Sequence, residues 1–285
     1  VLNVKNELTN FEPVAPTRPI AGYIGGKKKL APRLVEIINA TPHDLYADVF
    51  MGMGGVFHRR DRRPKVEVIN DISRDVVTLF RILQRHYQQF LDTLKWQLAS
   101  RDDFERLMRV DPDTLTDLER AARFLYLQRL SFGGKVTGRN YGVTRTGPAR
   151  FDLTKLVPLL EAAHDRLARV HIERLPFDKL IKRYDRPGAL FYCDPPYHGN
   201  EDDYGEGVFS RPDFARLRDL LEAVEGRFIL SINDRPEIRE LFAGSTIEEA
   251  ELDYQVSGKA TPARELIITG GNGAGPLQAT HERRR

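Results

Sequence analysis

The sequence predicts an α/β domain built on a largely parallel sheet, with a mainly helical module inserted into it. Short apolar runs with strand character recur at residues 45–50 (LYADVF), 65–70 (KVEVIN), 171–177, 189–193, 227–232 and 265–269. Segments with apolar residues at helical spacing lie between several of them, which is the alternation of a parallel sheet covered by helices. The section from about Gln84 to Arg169 breaks that alternation with helices and a basic loop. The chain therefore divides into residues 1–83, an insertion at 84–169, and residues 170–285.

Residues 1–18 are polar and lead into a proline-rich stretch (Pro13, Pro16, Pro19), so they read as an extended arm. A helix over 27–39 (KKKLAPRLVEIIN) stops at Asn39-Ala40-Thr41-Pro42. The strand at 45–50 runs into the glycine-rich MGMGG, and the strand at 65–70 closes on Asp71. The stretch from Ser73 to about Val110 reads as two helical pieces broken near Ser100, followed beyond Asp111-Pro112-Asp113 by a helix over about 116–130. The glycine-rich SFGGKVTGRNYGVTRTG is too irregular for a helix. Residues 152 to about 170 are amphipathic, and further helices are expected at 212–224 and 236–241. The tail from Gly270 is rich in glycine and expected to be loosely held.

Composition narrows the function classes. The 285 residues, 41% hydrophobic and 30% charged, suffice for one large domain or one domain carrying an insertion. No apolar run approaches the ~20 residues needed to cross a bilayer, and the first residues lack the layout of a secretory leader. The single cysteine, Cys193, excludes an intrachain disulfide and a cysteine-only zinc cluster. The seven histidines are scattered without metal-ligand spacing, so no metal is expected. A cytoplasmic setting follows. Net charge is only +3, but residues 129–150 carry Arg129, Lys135, Arg139, Arg145 and Arg150 with no acidic residue. That run is either a nucleic-acid contact or an ordinary solvated loop.

Four segments carry chemistry. Asp194-Pro195-Pro196-Tyr197 follows the apolar strand ALFYC. Consecutive prolines end a strand and stiffen the turn at its carboxyl end, where open α/β sheets bind ligands. The amine of an aromatic base is a poor nucleophile because its lone pair is delocalised into the ring. Asp194 and the Pro195 carbonyl can accept hydrogen bonds from both N–H groups, and Tyr197 can stack on an extruded base. The plainer reading is a stiff turn with Tyr197 buried. In Asp48-Val49-Phe50-Met51-Gly52-Met53-Gly54-Gly55, the glycines let backbone approach a ligand. A dinucleotide fingerprint would require glycine at Phe57, so that reading fails. Asp71, about 20 residues beyond the glycine loop, can accept from ribose hydroxyls or cap the following helix. In Tyr23-Ile24-Gly25-Gly26-Lys27, Ala21 and Lys28 occupy positions where a phosphate-binding loop needs glycine and a hydroxyl, which argues against an ATPase.

In this order the segments YIGGKKKL, DVFMGMGGVF, VIND, DPPY and ILSIND resemble the D12 class of N6 adenine-specific DNA methyltransferases, from about Pro19 to Thr269. The resemblance implies a Rossmann-like, S-adenosylmethionine-dependent methyltransferase sheet whose inserted module recognises the DNA target. It implies that Tyr23, Lys27, Phe50, Gly52, Gly54, Asp71 and Asp194 hold S-adenosyl-L-methionine, and that Asp194, Pro195, Pro196 and Tyr197 hold a flipped adenine. Direct in-line displacement at N6 without a metal is the implied reaction. For DNA, the expected contacts are Arg129, Lys135, Arg139, Asn140, Tyr141 and Arg145. The expected partners are double-stranded DNA and, in the cell, a restriction endonuclease, with the chain itself monomeric. Tyr23 stands where the family commonly has tryptophan and Val49 where proline is frequent. Alternatives from other classes are a catalytically silent DNA-binding subunit of the same fold and an RNA adenine methyltransferase, although the latter groups typically open the tetrapeptide with asparagine.

Overall fold

The computed structural model describes residues 10–142, 147–205, 207–256 and 259–273. Seven strands form the central sheet. β2 (Leu45–Asp48), β4 (Val66–Asn70), β5 (His171–Glu173), β6 (Ala189–Cys193) and β7 (Arg227–Asn233) pair in parallel. β8 (Thr246–Val256) and β9 (Lys259–Gly270) form an antiparallel hairpin whose second arm closes on β7. The order across the sheet is β5-β4-β2-β6-β7-β9-β8. A separate two-stranded ribbon joins β1 (Glu12–Pro13) to β3 (Arg62–Arg63), tying the N-terminal arm to the turn before β4.

The helices begin where side chains can accept their unpaired N–H groups. α1 (Ala31–Ala40) opens with a proline in its first turn and stops at Thr41, whose N–H and hydroxyl both return to the Ile37 carbonyl. Ser73, Ser100 and Asp152 cap α2 (Arg74–Arg85), α4 (Arg101–Arg109) and α6 (Leu153–Arg166). α3 (Tyr87–Leu94) separates α2 from α4, so the predicted two-piece stretch is three helices, broken at His86 as well as before Ser100. Capping boxes start α5 (Asp117–Leu130) and α8 (Arg211–Ala223). α7 (Phe177–Tyr184) and α9 (Pro236–Leu241) complete the set. Neither α7 nor β8 was expected. α7 has only eight residues, and β8 reads TIEEAELDYQV, in which three glutamates mask the alternation.

Alternate residues of each strand feed two cores, as the period-two geometry of a strand requires. Tyr46, Ile69, Leu190, Tyr192, Ile229 and Ile267 face one layer, made by α1 through α6. Ala47, Val68, Phe191, Cys193, Leu230 and Ile268 face the other, made by α7, α8 and α9. The helices of the 84–169 section thus share one continuous core with the sheet. Beneath the first layer, the buried Glu67 carboxylate accepts from Arg60 at 2.8 Å and from Arg166 at 2.7 Å, with each guanidinium 3.9 Å from an aromatic centroid (Tyr46 and Phe57). No helix among the described residues is long and apolar enough to cross a membrane, and no cluster among them could hold a metal ion.

Candidate active site

The sheet reverses its order between β2 and β6, which carry Asp48 and Asp194 at their carboxyl ends, and a crevice opens there. The chain leaving β2 is stitched over this edge. Val49 N–H donates to the Tyr192 carbonyl at 2.9 Å and Met51 N–H to the Asn70 carbonyl at 2.8 Å. Gly52 and Gly54 then take φ of 48° and 68°, the left-handed region that glycine enters without strain. A Cβ on Gly52 would lie 2.8 Å from the Tyr23 ring, so glycine is needed for space as well as conformation.

Asp71 fixes that turn. Its Oδ2 accepts from Gly52 N–H and its Oδ1 from Ser73 N–H, each at 2.8 Å. Capping of α2 falls to Ser73 instead of Asp71, which ties down the glycine loop, a role neither reading of the sequence foresaw. Burial raises the Asp71 carboxyl, and the backbone N–H groups of Ser73, Gly52 and Ile72 oppose that rise. Neighbouring Asn70 braces the rim from the other side, donating to Val49 and Leu175 carbonyls and accepting from Leu175 N–H.

At the Asp-Pro-Pro-Tyr corner, Pro195 and Pro196 are buried, while the Asp194 side chain keeps 20% of its surface exposed. Two donors converge on one Asp194 oxygen. Lys27 Nζ lies 2.7 Å from Oδ1, and the Ser231 hydroxyl donates to the same atom at 3.2 Å. No hydrogen bond to Oδ2 is found among the described residues, and Asp194 lines the cavity. Burial pushes the Asp194 carboxyl up to about 6, with Lys27 pulling against it. Lys27 is buried. Its ammonium also donates to the Gly25 carbonyl and the Tyr197 hydroxyl, 4.4 Å from the Tyr197 centroid.

One cavity of about 1080 Å³ collects most of these groups. Of the seven residues expected at a cofactor, Tyr23, Lys27, Phe50, Gly52, Asp71 and Asp194 line it. Gly54 lies outside the lining, where a Cβ would strike Met51 and His58, so it shapes the loop from behind. Of the corner, Asp194 and Pro196 line the cavity, whereas Pro195 and Tyr197 do not. Sequence reasoning missed Phe177 and Phe209, which form an aromatic triangle with Phe50 at 5.8–5.9 Å. It also missed Tyr204, which donates to the Ile24 carbonyl at 2.9 Å and faces Tyr23 with centroids 5.8 Å apart. An aromatic seven residues past the corner was the available signal.

The expected DNA contacts divide by environment. Arg129 is turned inward, donating to the Ile20 and Arg150 carbonyls, and burial lowers its guanidinium. Arg139 donates to the Lys135 carbonyl and to Gln128 Oε1, and is likewise lowered by burial. Tyr141 packs edge-on against Phe104 at 5.4 Å. Lys135 and Asn140 are exposed. Arg145 lies outside the described residues. The buried amide of Gln128 ties the loop to the cavity wall by donating to both the Gly22 and Gly134 carbonyls.

A doubly covered sheet of this order, with glycine loop, acidic strand end and proline corner meeting at its switch point, defines a Rossmann-like methyltransferase domain. The chain belongs to the D12 class of N6 adenine-specific DNA methyltransferases, whose family profile matches residues 23–256. A type II methyltransferase, M1.LlaDCHI of Lactococcus lactis subsp. cremoris, is 26% identical over 88% of this chain and 95% of its own length. The retron Ec67 DNA adenine methylase of Escherichia coli is 25% identical over 88% and 91%. The DNA N-6-adenine-methyltransferase of Escherichia phage P1 is 27% identical over 80% of this chain and 31% of its own.

Proposed function

We propose that the chain transfers a methyl group from S-adenosyl-L-methionine to N6 of an adenine extruded from double-stranded DNA. The observation that carries this reading is Asp194 in the wall of a cavity at the upper end of the range for small-molecule sites, with Lys27 and Ser231 both on its Oδ1. Such a volume suits a cofactor and a nucleobase side by side.

The residues fit the cofactor. Asp71, whose oxygens each keep a second lone pair, accepts from the ribose hydroxyls. Gly52 admits the chain of the methionine part, and Phe50 with Phe177 and Phe209 supplies an apolar wall for the adenine ring. Tyr23 covers the site. Bound S-adenosylmethionine supplies an electrophilic methyl on a positively charged sulfur. The protein does the rest by position. Asp194 accepts an amine hydrogen, drawing N6 toward tetrahedral geometry, and the cavity aligns it for in-line attack. Only the ionised Asp194 can accept in this way. Target recognition belongs to the 84–169 section, where the exposed Lys135 and Asn140 can meet phosphate or a base edge. The chain acts as a monomer in the cytoplasm, with a restriction endonuclease as a partner outside its own fold.

The test is transfer of labelled methyl to adenine-containing duplex DNA, followed by nucleoside analysis for N6-methyladenine. Asp194→Ala should abolish transfer while retaining most DNA affinity. Tight DNA binding with no transfer by the wild type would establish a silent subunit, and labelling of RNA alone would redirect the substrate.

A further inference from the structure

We propose that Ser231, on β7, is a positioning residue that selects which oxygen of Asp194 is presented to the substrate. The inference rests on the reading of Asp194 given above and extends it to a strand that touches no ligand.

Ser231 is fully buried, and its oxygen sits between two partners. It donates its one hydrogen to Asp194 Oδ1 at 3.2 Å, so the 2.8 Å contact with the Tyr192 hydroxyl must have Tyr192 as the donor. Tyr192 is buried on β6, two residues before Asp194. The chain Tyr192 to Ser231 to Asp194 therefore has one polarity, ending on the carboxylate. Lys27 reaches the same Oδ1 from the opposite wall of the site. With both donors on Oδ1, rotation of the carboxylate would exchange a twice-bonded oxygen for an open one and is resisted.

β7 also holds the segment beyond the corner. Two residues along the same strand face, Asn233 accepts from His198 N–H at 2.9 Å and returns a hydrogen bond to the His198 carbonyl at 3.0 Å. Asp194 and His198 bracket Pro195, Pro196 and Tyr197, so alternate polar residues of β7 grip both ends of the rigid turn. A lone serine in an apolar strand is otherwise a costly choice, because a buried hydroxyl needs partners. Here one partner opens the corner and the other lies on the strand leading into it.

Removing the donor weakens the ionised carboxylate. The groups facing Asp194 are Lys27 from the N-terminal wall, Asp48 on β2, Tyr192 and Cys193 on β6, Tyr204 above and Glu265 on β9. Of these, Lys27 alone opposes protonation, so loss of Ser231 leaves one stabilising partner.

Ser231→Ala, Ser231→Thr and wild type should be compared for kcat, for KM toward cofactor and DNA, and for the pH dependence of kcat. The Asp194 carboxyl should be followed separately by carbon-13 NMR, with Asp194→Asn assigning its resonance. We expect kcat of Ser231→Ala to fall about tenfold or more, the loss of one hydrogen bond to a charged group. Both KM values should stay within about twofold, the acid limb and the carboxyl titration should move to higher pH, and Ser231→Thr should restore all three. Unchanged turnover and titration in Ser231→Ala would overturn the role, as would a loss that moves KM and kcat together and is not restored by threonine. If wild type transferred no methyl but the titration still moved, the positioning role would stand and the proposed reaction would fall.

Discussion

Lys27 Nζ lies 2.7 Å from Asp194 Oδ1 and 3.0 Å from the Tyr197 hydroxyl, so one buried cation serves two residues of a corner 170 positions further along the chain. Its charge is what keeps Asp194 ionised in a buried setting. Lys27→Met, which keeps most of the side-chain volume, should shift the acid limb of kcat upward from about 6. It should also lower turnover at pH 7 by about tenfold or more. An unshifted limb would remove Lys27 from this role. The sign for stability is the reverse of that for activity. The folded carboxyl titrates near 6 against 3.8 in the free group, so the folded chain binds more protons between these values. This contribution to stability is complete below about 4 and is lost as pH rises through about 6.

Gly52→Ala combines a φ of 48° with a Cβ placed 2.8 Å from the Tyr23 ring. The backbone cost is about 1 kcal/mol or more, and displacement of Tyr23 adds to it. Calorimetric titration with S-adenosylhomocysteine should show affinity weakened about tenfold or more, with DNA binding little changed. Equal cofactor affinity would mean that the loop does not frame the ligand.

Lys135 and Arg139 should separate cleanly. Lys135→Ala should weaken duplex binding and reduce the slope of log K against log salt by about 1. Arg139→Ala removes hydrogen bonds to Gln128 and Lys135 and should lower the melting temperature. Loss of DNA affinity in Arg139→Ala without any fall in Tm would place that guanidinium on the nucleic acid after all.

Glu67→Gln should be among the most damaging changes far from the cavity. It leaves the buried guanidinium groups of Arg60 and Arg166 without their shared carboxylate. Breaking a buried pair in this way costs about 3–5 kcal/mol, a fall of roughly 6–15 °C in Tm. A thermal shift of a degree or two would show that water reaches this site.

What could be read in the sequence followed from local constraints. Consecutive prolines after ALFYC could only end a strand, and glycines after LYADVF could only serve a tight turn or a close approach. Asp71 stayed ambiguous because a carboxylate three residues before a helix can cap it or reach elsewhere, and the choice depends on Gly52, a tertiary neighbour. Arg129 and Arg139 show the limit of charge as a signal. Composition reveals that a guanidinium is present, but not that the Ile20 and Arg150 carbonyls lie within its reach. Ser231 was visible inside ILSIND and carried no mark of its partners, since Tyr192 and Asp194 come from another strand. β8 was lost because its glutamates alternate too weakly with apolar residues to reveal a period of two.

The neighbours β4 and β5 pair Val68 with His171 across the whole helical section, and the corner is completed by β7 and β9 still later. Contacts so distant along the chain close slowly. A nascent polypeptide emerging from the ribosome would carry Lys27 and its glycine loop long before Ser231 could join Lys27 on Asp194. The corner is therefore fully held only once β7 and β9 have been made.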